Sequence, residues 1–148
     1  MDGVLRGVGV DIVEVARVER LLVGGRFAER WFSPEEATWC RLAEAPATRF
    51  ARLLAAKEAA WKALALGWSG GVPWAMLEGD CGDGVGLVVL RGQVAAAASS
   101  LGVGAIEAAS GCDGRLAYAV AFAWIGDAQV KPQSTDGHVE ERVIPLVR

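Results

Sequence analysis

Two carboxylates and two lysines stand out as groups able to act on an anionic substrate. Asp11 closes the run Gly7-Val8-Gly9-Val10-Asp11, and Glu58 lies within Lys57-Glu58-Ala59-Ala60-Trp61-Lys62. On a helix, Glu58 and Lys62 stand at i and i+4 and share a face, with Lys57 beside them. Magnesium takes one or two carboxylates, keeps several waters and draws its remaining ligands from phosphate oxygens. Lysines then neutralise the charge that spreads over those oxygens during transfer. The set therefore suits a magnesium-assisted reaction on a phosphate ester. A plainer account exists for each part: Asp11 as a solvated cap of the next helix, and Glu58 with Lys62 as an exposed ion pair worth about 0.2–0.5 kcal/mol. The surroundings of Glu58 favour the chemical account. Phe50, Leu53, Leu54, Trp61, Leu64 and Ala65 cover most of the helix circumference, and a helix so buried holds few charges without a use for them.

Other chemistries lack material. The single histidine, His138, lies in a polar tail, so a histidine base or a multi-histidine metal centre is excluded. Cys40, Cys81 and Cys112 are odd in number and far apart, which fits reduced thiols rather than a disulfide framework or a zinc site. Gly7-x-Gly9 after a strand invites a dinucleotide-binding reading, but Ile12 occupies the third glycine position and no repeated βαβ pattern follows.

The elements that must position these groups are legible from periodicity and punctuation. Val4 to Val13 predicts a strand ending near Asp11, followed by a short helix with Val15, Val18, Leu21 and Leu22 on one stripe and Gly24-Gly25 as its stop. Ser33-Pro34-Glu35-Glu36 predicts a helix start twice over, by capping-box spacing and by proline at the first helical position. That helix should run from Pro34 to about Ala43 and be broken by Pro46. Thr48 is expected to cap the longest helix, which continues to about Leu66. Beyond Gly67 the period changes. Strands are expected over Val72–Glu78 and Val85–Leu90 around a turn at Gly79–Gly84, then a small helix from Val94 to Leu101, then strands over Val103–Ala109 and Arg115–Ile125. The expected class is α+β, with helices packed on an antiparallel β-sheet. Residues 126–148 read as a separate C-terminal tail.

With 148 residues the chain has room for one domain. It is 53% apolar and only 22% charged, more apolar than a lone small core needs, so part of that surface is expected to meet another subunit. Lys57, Lys62, Arg91, Glu107 and Arg115 interrupt the greasiest regions, leaving no stretch able to span a membrane. The first residues lack a secretion-signal pattern, so a cytoplasmic location is expected. The net charge of −3 argues against nucleic acid as a partner, yet it conceals an asymmetry. Glu14 to Lys62 holds nine Lys/Arg against seven Asp/Glu, with Arg17, Arg20, Arg26 and Arg30 in its opening stretch. An acidic partner would dock there.

The run from Gly7 to Arg17 (Gly-Val-Gly-Val-Asp-Ile-Val-Glu-Val-Ala-Arg) is followed by Arg26-Phe27-Ala28-Glu29-Arg30 and Phe32-Ser33-Pro34-Glu35-Glu36. Arg49-Phe50 and Ala56-Lys57-Glu58-Ala59-Ala60-Trp61-Lys62 complete the pattern. In order and spacing this resembles the holo-acyl-carrier-protein synthase family of 4'-phosphopantetheinyl transferases, over about residues 4 to 125. The resemblance implies one phosphopantetheinyl transferase domain over 1–125, of the single-repeat type, expected to be a homotrimer with coenzyme A bound between subunits. It implies Mg2+-dependent transfer of 4'-phosphopantetheine from coenzyme A to a serine of apo acyl carrier protein, releasing adenosine 3',5'-bisphosphate. Asp11 and Glu58 match the metal ligands. Lys57 and Lys62 match lysines near the coenzyme A pyrophosphate, and Glu58 and Lys62 take the catalytic roles. Arg17 and Arg26 match positions that grip the acidic helix of the carrier protein. Either Glu58 or a metal-bound water would take the serine proton. Glu36 matches a family glutamate, for which capping is preferred to catalysis.

Three positions depart from the family pattern. Cys112 stands where a phosphate-facing histidine is common, Leu53 where an arginine is common, and Gly86 where a Gly-x-Pro element begins a strand. They keep open an alternative: a catalytically weak family member acting as a carrier-protein-binding partner or regulatory module. The carrier protein and its pathway, whether fatty-acid, polyketide or peptide, are not specified by the sequence.

Overall fold

A computed structural model describes residues 3–67, 71–79 and 84–126. Strand β1 (Val4–Glu14) leads into helices α1 (Val15–Leu22), α2 (Arg26–Trp31), α3 (Pro34–Arg41) and α4 (Pro46–Leu64). A single 3-10 turn (Trp74–Met76) precedes β2 (Leu77–Gly79) and β3 (Val85–Leu90), and α5 (Gly92–Ser100), β4 (Val103–Cys112) and β5 (Leu116–Ile125) complete the described chain. The five strands form one sheet in the order β1-β5-β4-β3-β2 with every neighbour antiparallel. The α+β expectation holds, and α4 is the helix that lies across β1, β5 and β4.

That contact is made by small residues. In β1 the odd positions Gly7, Gly9, Asp11 and Val13 face inward, and the even positions Val8, Val10 and Ile12 face out. A methyl group on Gly7 or Gly9 would collide with the carbonyl oxygens of Ala63 and Ala59 respectively. The glycines thus permit the strand and helix backbones to touch. β5 contributes Ala117, Ala119, Ala121 and Ala123 to the same buried layer. The Gly-x-Gly element is therefore a packing device, which explains why it has no third glycine.

Several boundaries differ from those the sequence predicts, each for a local reason. β1 runs through Asp11 to Glu14, paired with β5 down to Glu14 opposite Leu116, so Asp11 is a strand residue and not a helix cap. Helix α2 is unforeseen: Gly25, at φ +73°, lets the chain restart after α1, and six residues are too few to show a helical period. Pro46 begins α4 instead of merely breaking α3. It occupies the first turn, where its missing N–H costs nothing, and Ala45 rather than Thr48 holds the cap position. Only Leu77 and Glu78 of the expected Val72–Glu78 strand are extended, in a strand that runs on to Gly79, because the segment after Pro73 coils into the 3-10 turn. β4 continues to Cys112, beyond the expected end at Ala109. The Gly79–Gly84 turn, the Trp68–Gly71 loop and the tail after Gly126 fall wholly or partly outside the described residues. Among the described residues no helix is long and apolar enough to cross a membrane.

Candidate active site

Strand alternation puts Asp11 one inward step beyond Gly9, and the glycine contact presses β1 onto the Ala59–Ala63 row of α4. Glu58 and Lys62 each precede one of those alanines, so they flank the contact and meet Asp11. Lys62 Nζ donates to Asp11 Oδ1 at 2.6 Å and to the Val10 carbonyl at 3.0 Å. Glu58 faces Asp11 closely enough to share a proton with it. Burial pushes the Glu58 carboxyl from its ordinary 4.5 up to about 7; the charge of Asp11 and a shared hydrogen bond add to this, and Lys62 and Arg17 oppose it. The geometry leaves Asp11 Oδ2 buried without a hydrogen-bond partner when both acids are ionised.

A pair of apposed acids with an orphaned oxygen is a cradle for a cation. Among the described residues no group of three or more His, Cys, Asp or Glu side chains could hold a metal ion. An ion on Asp11 and Glu58 would keep most of its shell for water and substrate oxygens, which suits Mg2+ rather than a closed structural metal. The donor set fits.

The other predicted residues separate. Arg17, exposed in the first turns of α1, is close enough to Glu58 to lower its pKa, so it borders the acid pair. Arg26 is exposed at the first residue of α2, beyond the opposite end of α1. Lys57 requires a correction: one position round the helix from Glu58, it points away into the core. Its side chain is 0% exposed and its ammonium donates to Glu36 Oε2 at 2.6 Å, so no pyrophosphate can reach it in this structure. Glu36 does form the expected capping box with Ser33. Of the departures, Leu53 is buried, packs against Gly79 and lines a small cavity with Arg49, Arg52 and Gly86. Cys112, half-buried at the end of β4, accepts from the Gly114 backbone N–H. His138 and Cys81 lie outside the described residues.

Sequence reasoning missed the Val10 carbonyl that anchors Lys62, and it missed the purpose of the small-residue rows. The signal was present: Gly-x-Gly on a strand and Ala-x-x-x-Ala on a helix are complementary shapes. A cleft of about 420 Å³ lies beside the end of α4, lined by Trp61, Leu66, Pro73 and Val94 among others. A larger one of about 870 Å³ between β3, β4 and α5 is lined by no titratable side chain and offers no chemistry.

The fold and site define a small α+β protein whose central helix and edge strand bring an acid pair and a lysine together. A family model described as the 4'-phosphopantetheinyl transferase superfamily matches residues 7–109, and the chain belongs to that superfamily of enzymes. It is 43% identical over 118 residues to a holo-[acyl-carrier-protein] synthase of Anaeromyxobacter dehalogenans, covering 76% of this chain and 91% of the relative. Its fold is similar to that of the Neisseria meningitidis holo-[acyl-carrier-protein] synthase, with TM-score 0.70, 26% identity, and coverage of 81% of this chain and 98% of that one. It is also similar to a coenzyme A complex of the Chronobacterium ammoniagenes synthase, with TM-score 0.65, 28% identity, and coverage of 81% and 97%.

Proposed function

We propose that this protein transfers 4'-phosphopantetheine from coenzyme A to a serine of apo acyl carrier protein, with Mg2+ on Asp11 and Glu58, releasing adenosine 3',5'-bisphosphate. The observation that carries this reading is the apposition of Asp11, Glu58 and Lys62 in a chain whose relatives at 43% identity are holo-[acyl-carrier-protein] synthases.

Each residue has a task set by its surroundings. Asp11 and Glu58 would hold the ion, which would supply charge neutralisation for the pyrophosphate oxygens as the serine oxygen bonds to the phosphorus carrying pantetheine and the P–O–P bridge breaks, its bridging oxygen leaving with adenosine 3',5'-bisphosphate. Lys62, half-exposed and anchored among the described residues through Asp11 and a carbonyl, can turn its ammonium to a phosphate. Glu58, poised near neutrality before a cation binds, is placed to take the serine proton, with a bound water as the other acceptor. Arg17 and Arg26 present exposed guanidinium groups to an acidic helix of the carrier. Arg17 also borders the acid pair, so a carrier gripped there would bring its serine to the reacting phosphate.

The outer sheet face supports the homotrimer reading. Val8, Val10 and Ile12 stand exposed in register with Phe122, Val120 and Tyr118, forming an apolar patch that one chain leaves uncovered. Light scattering should give three chains, and full activity of a monomer would overturn this part.

Intact-protein mass spectrometry of an apo carrier with coenzyme A and Mg2+ tests the central reading. The expected result is a phosphopantetheine mass gain that disappears in Asp11→Ala. Tight carrier binding without that gain would instead support the binding-partner alternative.

A further inference from the structure

The buried ion pair of Glu36 and Lys57 is charged, enclosed and unused by the reaction described above. Glu36 Oε2 accepts from Lys57 Nζ at 2.6 Å and from the Ser33 backbone N–H at 2.8 Å, and Oε1 accepts from the Gly79 N–H at 2.8 Å. Lys57 Nζ lies 5.1 Å from the centre of the Phe32 ring. One carboxylate thus ties together the start of α3, the middle of α4 and the end of β2. Side-chain exposures of 0% and 2% seal the pair from bulk solvent.

Such a pair is a poor way to gain stability. Removing two charges from water costs as much as their attraction returns, and a matched apolar pair is often no less stable. What the pair does supply is direction: Lys57 reaches one carboxylate in one geometry, and the next residue is Glu58. The Lys57 ammonium is directed to Glu36 and away from the acid pair, so its influence there passes through the placement of α4.

We infer that Glu36 and Lys57 are positioning residues that lock the rotation of α4, and with it α2–α3, so that Glu58 meets Asp11 and the Arg26 end of the helical layer keeps its place. This rests on the transferase reading. The test is the double variant Glu36→Gln/Lys57→Met, which keeps shape and removes both charges, together with Glu36→Asp, which keeps the charge but shortens the reach. Melting temperature, kcat, KM for coenzyme A, and hydrogen exchange over Glu58–Lys62 in the metal-free protein are measured for each.

The expected result is a double variant melting near the wild type, with kcat about tenfold lower, KM unchanged and faster exchange confined to that turn. Glu36→Asp should lower kcat in the same direction. Wild-type kcat and exchange in a folded double variant would overturn the inference. If the double variant does not fold, unchanged kcat and exchange in Glu36→Asp would overturn it equally. Absence of transfer by the wild-type protein would count against the transferase reading alone, because the exchange measurement tests the positioning without it.

Discussion

Two acid–lysine pairs on the same helix have the same N–O separation, 2.6 Å, and opposite surroundings. In the Glu36–Lys57 pair both groups are sealed from water and the carboxylate is saturated, with both oxygens occupied by donors. In the Asp11–Lys62 pair the lysine is half-exposed, one carboxylate oxygen is orphaned, and a second acid stands opposite. Distance does not separate the two pairs; saturation does. A filled hydrogen-bond shell holds a shape, and an unfilled one awaits a ligand.

Breaking the open side should abolish transfer while sparing the fold. Asp11→Asn and Glu58→Gln are near-isosteric and relieve the repulsion between the acids. Each is expected to lower kcat/KM by about a hundred- to a thousandfold, the order seen when a group that stabilises transferred charge is lost, with a melting temperature equal to or above the wild type. A variant that melts early would place these acids on the structural side of the comparison.

Removing one partner from the sealed side should first cost stability. Glu36→Ala leaves Lys57 charged and buried without its partner, a change that costs about 3–5 kcal/mol. For a chain of this length that lowers the melting temperature by roughly 6–20 °C. Lys57→Met alone should be milder, because Glu36 keeps its two backbone donors. Calorimetry on the pair of single variants checks the order. Equal and small shifts would show that the pair is solvated.

Gly9→Ala examines the contact that both pairs depend on. Its methyl group would meet the Ala59 carbonyl, so β1 must lift from α4. The expected cost is about 1–3 kcal/mol, typical of overpacking. Activity should fall further than stability, because lifting β1 parts Asp11 from Glu58. Preserved activity in a destabilised Gly9→Ala protein would show that the acids do not need the close contact.

The sequence made some of this legible and concealed the rest for physical reasons. Ser33 and Glu36 announce a helix start because a capping box is local, and it is present. Asp11, Glu58 and Lys62 were identified because their types and spacing limit the chemistry, and the structure brings them together. Lys57 was misplaced because adjacency in sequence is not adjacency on a helix: one residue is a turn of about 100°, enough to move a lysine from the site into the core. Its true partner lies 21 positions away, and no local pattern reveals it. Pro46 is ambiguous in the sequence because proline both ends and begins helices, and the choice depends on which side has the hydrogen-bonded turn.

The smallest expected effect concerns pH. The Glu58 carboxyl titrates near 7 in the folded protein against an ordinary 4.5. Between those values the folded state holds a proton that the unfolded chain has released. The stability this confers is complete below about pH 4.5 and is lost as pH rises through about 7. Glu58 is partly open to solvent, so its contribution is a shallow slope on a melting curve measured without metal. Asp11→Asn should flatten that slope by removing the facing charge. Mg2+ should reverse its sense, stabilising the protein more at pH 8 than at pH 6, because the cation and the proton compete for the same oxygens. The sealed pair offers no such competition, so Glu36→Gln/Lys57→Met should leave the Mg2+ dependence on pH unchanged in form. If Mg2+ stabilises equally at both pH values, the ion does not bind through Glu58, and the contrast between a saturated and an awaiting carboxylate loses its functional half.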